Sequence, residues 1–303
     1  MAMRVVVTGA NGLVGGRLTR LLATQGHEVI AWGRGAARSA MPGARYVSLD
    51  LVDADAVTQA LRETRPDVII NPAAMTDVDG CERDPLGAWA ANVDAPATLA
   101  RGAREFGAHL VHVSTDYVFD GDAGPYDVDA TPNPRGTYAV SKYAGELALR
   151  ALLPKDAWTI ARTAVVYGWP STGKNNFGSW LLSTLGAGRP VNLFNDQWVS
   201  PSHADNVAAM LAELATRRLG GVWHTSGAEV VDRVTFGLRL CERFGFDPAL
   251  IKPSSMAQVN LPSPRPARSG LVVTRTSAAL THQPLGLDAS LAALHDEYRK
   301  SPP

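Results

Sequence analysis

The feature that most constrains this chain lies near its start. A β-branched run, Val5-Val6-Val7, breaks into Thr8-Gly9-Ala10-Asn11-Gly12-Leu13-Val14-Gly15 and then into an amphipathic stretch. Three glycines spaced three apart at a strand-to-helix turn let the backbone approach a ligand closely, and the helix N-terminus behind them favours negative charge. The context predicts the first unit of an open parallel sheet with a pyrophosphate cradle at Gly9, Asn11, Gly12, Leu13, Val14 and Gly15.

The rest of the first half keeps that rhythm. Strands are expected at residues 4–8, 28–32, 68–71, 110–114 and 158–162, with helices at 13–25, 54–64, 86–106 and 138–152. Such alternation predicts an α/β fold, a Rossmann-type doubly wound parallel sheet, over residues 1–165. Beyond residue 168 the pattern loosens, with a helix near 206–215 and a proline-rich run at 253–266. Residues 166–303 are expected to form a smaller α/β substrate-binding lobe on the sheet's carboxyl edge, with room for later segments to return to the sheet.

Charge and composition exclude several classes of function. Twenty-nine basic residues balance 29 acidic ones, so the chain lacks the electrostatic footprint of a nucleic-acid binder. No apolar run approaches the roughly 18 to 20 residues that span a bilayer, and Thr8-Gly9 stops the first apolar run too early for a secretory leader. Two distant cysteines, Cys81 and Cys241, give neither a disulfide framework nor a zinc site, and a reducing cytoplasm is the expected location. No metal is expected: His109 and His112 sit three apart on a strand and point to opposite faces. The stretch Gly168-Trp169-Pro170-Ser171-Thr172-Gly173-Lys174-Asn175 resembles a P-loop but lacks the magnesium-binding hydroxyl, and Pro170 removes a backbone donor. It reads as a loop with Lys174 and Asn175 near a ligand. Asp120, Asp122, Asp127 and Asp129 read as a solvated loop, because Gly124-Pro125 breaks the spacing of a calcium loop.

Two further signals carry chemistry. The second strand ends Ala31-Trp32-Gly33-Arg34, with Arg38 nearby and no acid before Asp50. An acid there would hold a ribose hydroxyl, whereas arginine suits a 2′-phosphate, so NADP(H) is expected over NAD(H) with Arg34 as first contact. A plain solvated loop is the alternative for Arg34. Tyr138 and Lys142 lie four apart at the start of a helix and share one face. A phenol is a poor acid or base near neutrality unless a cation stabilises its phenolate, which Lys142 is placed to do. Thr115, in Ser114-Thr115-Asp116-Tyr117 at the end of a strand, can donate to a substrate carbonyl.

These motifs and several others in the same order resemble the extended short-chain dehydrogenase/reductases, in particular the dTDP-4-dehydrorhamnose reductase group and its relative, the methionine adenosyltransferase regulatory β-subunit. The likeness runs through Asp50-Leu51, Asn71-Pro72-Ala73-Ala74-Met75-Thr76-Asp77-Val78-Asp79, the stretch 114–121, and Tyr138-Ala139-Val140-Ser141-Lys142. It continues in Arg162-Thr163, Asn175-Asn176-Phe177, Asp196-Gln197 and Arg265-Pro266. The resemblance implies a reductase of a keto group on a nucleotide-activated deoxysugar, with hydride from the nicotinamide and a proton from Tyr138. It places Asp50 and Leu51 at the adenine, and Ala73, Ala74, Met75, Asn92, Ser114, Tyr138 and Lys142 along the cofactor cleft. Thr115, Tyr138 and Lys142 become the catalytic set. Thr76, Val78, Asp116, Tyr117, Asn175, Asn176, Phe177, Trp198 and Arg265 fall on the substrate side.

Two substrate-side segments depart from the family pattern: Trp198-Val199-Ser200-Pro201-Ser202 where Gly and Pro-Thr are usual, and Ala267-Arg268-Ser269-Gly270-Leu271-Val272 after the Arg-Pro pair. Arg268 and His203 read either as diphosphate contacts or as ordinary loop residues. Trp169, Trp180 and Trp198 read either as walls of the substrate cleft or as buried residues of the smaller lobe. A regulatory subunit without turnover, or an epimerase that recycles its cofactor, are the alternative functions. A homodimer is the default oligomeric state for such a chain.

Overall fold

The apolar runs of the first half are covered on both faces, as strands of a parallel sheet must be. In Val5-Val6-Val7, the outer two side chains join one core and Val6 joins the other. The computed structural model describes residues 2–169 and 175–300, so the expectation for Lys174 falls outside the described residues. Strands β1 (Arg4–Val7), β2 (Glu28–Gly33), β3 (Ala44–Ser48), β4 (Val68–Asn71), β5 (His109–Thr115) and β6 (Trp158–Thr163) come from the first half. Short strands β7 (Val166–Tyr167), β8 (Val191–Phe194), β9 (Trp198–Val199) and β10 (Ser202–His203) follow, then β11 (Gly221–His224), β12 (Val231–Asp232) and β13 (Ile251–Ser254). The main sheet runs β11-β6-β5-β4-β1-β2-β3, all parallel.

Helices α1 (Leu13–Thr24), α2 (Ala54–Thr64), α3 (Val78–Arg83), α4 (Pro85–Trp89), α5 (Ala95–Phe106) and α6 (Thr137–Leu152) alternate with the early strands. After them come α7 (Phe177–Gly186), α8 (Ala204–Thr216), α9 (Arg233–Phe244), α10 (Thr274–Ala279) and α11 (Leu287–Lys300). Helices α1 and α8 cover one face of the sheet through Leu18, Leu22, Val207 and Leu211. On the other face, α2, α5 and α6 pack through Val57, Leu61, Leu99 and Leu149. A separate core of Leu181, Leu193, Phe236, Leu240 and Leu291 holds the second lobe.

Two features differ from the expectation, and a third, strand β11, is a later segment returning to the sheet as the expectation allowed. Strand β3 has no counterpart among the expected strands, because it is a half-exposed edge strand whose apolar residues are interrupted by Arg45. Strand β11 returns from the second half to extend the sheet, with Gly221 in register against Thr159 of β6. The single helix expected over 86–106 is broken into α4, a wider helical turn at Ala90–Asp94, and α5; Pro96 in the first turn of α5 has no N–H to continue the ladder.

Strand order reverses between β1 and β4, and their carboxyl ends open the crevice where α/β sheets bind ligands. Gly9 sits there with φ +58°, a conformation that favours glycine, and a Cβ on it would lie 3.1 Å from the Ala73 Cα.

Candidate active site

A cavity of about 1330 Å³ follows the carboxyl ends of the strands and continues beneath the second lobe. Pockets for single drug-sized ligands run to roughly 300–1,000 Å³, and this cavity exceeds that range. The turn after β1 forms one end. Helix α1 begins at Gly12 with no side-chain cap and no acid in its first turn, which leaves its first N–H groups for an anion. A Cβ on Gly15 would stand 2.2 Å from the Gly9 carbonyl oxygen, so the turn closes only around glycine. Gly9, Asn11, Gly12, Leu13, Val14 and Gly15 all line the cavity. The cradle therefore fits a dinucleotide pyrophosphate on its own geometry.

Asn11 extends this cradle sideways. Its amide donates to the carbonyls of Arg34 and Ala36, both at 3.0 Å, and its oxygen accepts the Arg38 N–H at 2.9 Å. The Tyr46 hydroxyl on β3 donates to the Gly35 carbonyl at 2.8 Å. The loop that carries Arg34 and Arg38 is thus fastened to the glycine turn, and both arginines face the cavity. Asp50, Leu51, Ala73, Ala74, Met75 and Ser114 line it further along. The Ser114 and Thr163 hydroxyls on this wall are buried with no protein partner among the described residues. Asn92 does not reach the cavity: it is fully buried, exchanges hydrogen bonds with the Met75 backbone at 2.9 and 3.1 Å, and donates to Ser141 Oγ at 3.0 Å. It fixes the wall from behind.

Strand β5 and helix α6 build the opposite wall. Gly136, with φ +80°, turns the chain into α6, where the Glu82 carboxylate accepts from Thr137 N at 2.6 Å and from Thr137 Oγ1 at 2.7 Å. Deeper in, Arg162 on β6 grips Glu146 on α6 with two bonds of 2.9 and 2.7 Å, both side chains fully buried. These fastenings aim Tyr138 and Lys142 into the cavity beside Thr115. Burial pushes the Tyr138 phenol above its usual range, and the Thr115 hydroxyl pulls it back in part. Burial lowers the Lys142 ammonium to about 8, with Glu146 opposing. Lys142 Nζ donates to the Val113 carbonyl at 2.7 Å and lies 3.4 Å from His112 Nε2. His112 Nδ1 meets the Asn71 amide at 3.1 Å, and Asn71 Oδ1 accepts from Thr8 Oγ1 at 2.6 Å. Burial keeps His112 neutral, so it adds no second charge behind the lysine.

On the substrate side, Thr76, Val78, Asp116, Tyr117, Asn175, Asn176, Phe177 and Arg265 line the cavity. Trp198 does not: it lies on β9 against β12, 41% exposed, and touches neighbouring loops through its backbone. Of the other tryptophans, Trp180 faces the cavity, whereas Trp169 packs edge-on against Tyr298. The diphosphate reading of His203 and Arg268 fails. His203 is buried beside Glu297 and Tyr167, and Arg268 donates to the Asp122 carbonyl at 3.0 Å. His203, Asp205 and Glu297 form the metal-like cluster found among the described residues, but Arg17 already bonds both carboxylates. Arg233 is a site residue that sequence reasoning misses. It lines the cavity, stacks 4.5 Å above Phe177 and donates to Gln197 at 3.0 Å, while a lone arginine at a helix start carries no spacing to mark it.

A nucleotide cradle facing a buried Thr, Tyr and Lys set across one crevice defines the chain as an NAD(P)-dependent oxidoreductase of the short-chain dehydrogenase/reductase class. A family model described as "RmlD substrate binding domain" matches residues 3–300, and the chain belongs to the dTDP-4-dehydrorhamnose reductase family. It is 40% identical over 297 residues to a probable low-salt glycan biosynthesis reductase, Agl14, of Haloferax volcanii, covering 96% of this chain and 97% of the relative. It is 37% identical over 300 residues to a dTDP-4-dehydrorhamnose reductase of Mycobacterium tuberculosis, covering 96% and 93%. A crystal structure of dTDP-4-dehydrorhamnose reductase from Bacillus anthracis in complex with NADP superposes with a TM-score of 0.86 at 26% identity, over 98% of this chain and all of that one. Among the described residues no helix is long and apolar enough to cross a membrane.

Proposed function

We propose that this chain reduces the keto group of a nucleotide-activated deoxysugar, of the dTDP-4-dehydrorhamnose type, and prefers NADPH to NADH. The observation that carries the reading is the convergence of Thr115, Tyr138 and Lys142 on the wall opposite the glycine cradle. When bound, the nicotinamide cofactor supplies the hydride for the keto carbon. Tyr138 carries its proton at neutral pH, held more tightly than an ordinary phenol's because burial raises its pKa, and that proton goes to the carbonyl oxygen as the alcohol forms. Lys142 remains largely an ammonium at pH 7 and favours the phenolate left behind. Arg34 and Arg38, held beside the cradle by Asn11, supply the charge that a 2′-phosphate requires. Two buried free thiols and the balanced net charge suit a cytoplasmic enzyme with a small-molecule substrate rather than nucleic acid.

Tyr138→Phe tests the assignment. Positioned general acids contribute about 10²–10⁴ in rate, so turnover of the keto sugar should fall by about that factor while NADPH affinity, measured by fluorescence titration, stays within about twofold. Unchanged turnover removes Tyr138 from the mechanism.

A further inference from the structure

Thr115 carries one hydroxyl proton, and groups on two sides compete for it. Toward the cavity stand Tyr138 and the place of a substrate carbonyl. Beside it stands Asp116, only 2% exposed, whose Oδ1 accepts from Thr115 Oγ1 at 3.1 Å. The other carboxyl oxygen, Oδ2, accepts from Ser269 Oγ at 2.5 Å. Ser269 is itself fully buried and belongs to the segment after Arg265 that departs from the family pattern. Among the described residues, no cation forms an ion pair with Asp116. Arg233 on α9 acts on it only from a distance, and Tyr117 and Tyr138 are the other titratable groups facing it, with Arg265 acting on Tyr117 and Arg233.

We propose that Asp116 is a positioning residue that decides where the Thr115 hydroxyl sends its proton. As a carboxylate it can only accept, and it draws the Thr115 proton away from the substrate. As a neutral acid it has a proton of its own to donate to Thr115 Oγ1, which frees the Thr115 hydroxyl to polarise the carbonyl. The Tyr117 N–H bond to Thr115 Oγ1, 3.2 Å, serves either state, so the side chain need not move. Ser269 sets the balance, because its hydroxyl bonds the carboxylate and favours that form. Burial raises the Asp116 pKa to about 6 against the pull of Ser269 and Thr115, so the exchange falls near that pH. The segment after Arg265 thereby reaches the residue next to Thr115.

This inference rests on the reductase reading, and two readouts separate them: keto-sugar turnover from about pH 5 to 8, and the 13C titration of the Asp116 carboxyl without substrate. Wild-type turnover should fall as pH rises through about 6. Asp116→Asn, whose amide donates to Thr115 at every pH, should lack that fall, with NADPH binding retained as evidence of folding. Ser269→Ala should move the fall upward by about one pH unit. The carboxyl resonance missing from Asp116→Asn should titrate at about 6 in the wild type and higher in Ser269→Ala. A wild type that turns over without the fall, an Asp116→Asn profile that keeps it, or a carboxyl that titrates near the ordinary value of about 4 in both proteins overturns the proposal. Absence of wild-type turnover at every pH counts against the reductase reading instead, and the carboxyl titration still decides whether Ser269 controls Asp116.

Discussion

The two walls of the cavity are built by opposite means. The cradle after β1 uses backbone N–H groups, a helix terminus and glycines, with no ionisable group in the turn itself. The wall from β5 and α6 uses ionisable side chains taken out of water: Tyr138, Lys142, His112 and Asp116. The cradle is thus a local property of one short run of consecutive residues, whereas the wall of Tyr138 and Lys142 exists only when β4, β5, β6 and α6 are packed together. The binding end forms at little energetic cost and the chemical end does not, since a buried charge opposes folding unless it is paired.

Lys142 offers the largest test of that contrast. Its pKa falls from 10.5 to about 8 on folding, so the native state binds its proton less tightly than the unfolded chain. Stability should therefore rise by about 3 kcal/mol as pH rises from the folded to the unfolded value. Urea unfolding of the wild type should show this rise above a pH of about 8, and Lys142→Met should lack it while losing turnover. Equal pH dependence in the two proteins would mean that burial does not penalise the lysine's charge.

On the cradle side, Gly15→Ala places a Cβ 2.2 Å from the Gly9 oxygen, and the turn must open. Strain of about 2 kcal/mol should weaken NADPH binding roughly thirtyfold, with global stability changed far less if the turn alone adjusts. Binding by calorimetry alongside thermal unfolding separates the two. Arg34→Ala should weaken NADPH roughly tenfold and leave NADH unchanged, because the proposed 2′-phosphate pocket would lose one charge-assisted bond. Equal weakening of both nucleotides would return Arg34 to the status of a loop residue. The smallest effect belongs to Trp198. It stands outside the cavity and acts through its backbone, so Trp198→Ala should change kcat and KM by less than about twofold.

How much of the molecule was legible follows the same division. The glycine turn, the loop of Arg34 and the Tyr138 and Lys142 pair could be read because each depends on spacing along a short stretch. Helix α2 and strand β4 match their predicted ends, the helix because its hydrophobic period marks it and the strand because it is one short, fully buried apolar run. Asn92 and Trp198 lie off the cavity for one physical reason: position along the chain does not tell which way a side chain turns once neighbouring segments pack on it. Ser269 reaches Asp116 across 153 residues, Arg233 comes to the same pocket from the second lobe, and no local pattern signals a contact made only in the folded chain. Strand β11 is similar, since a four-residue strand at a sheet edge gets its identity from its partner β6.

The most direct test is NADPH and NADH oxidation, followed at the absorbance of the reduced nicotinamide, with dTDP-4-dehydrorhamnose generated in place by the upstream enzymes. A keto-sugar reductase with an arginine-lined 2′-phosphate pocket should show net consumption that matches the sugar supplied and runs faster with NADPH. Tight NADPH binding with no oxidation of either nucleotide on this substrate would contradict that reading.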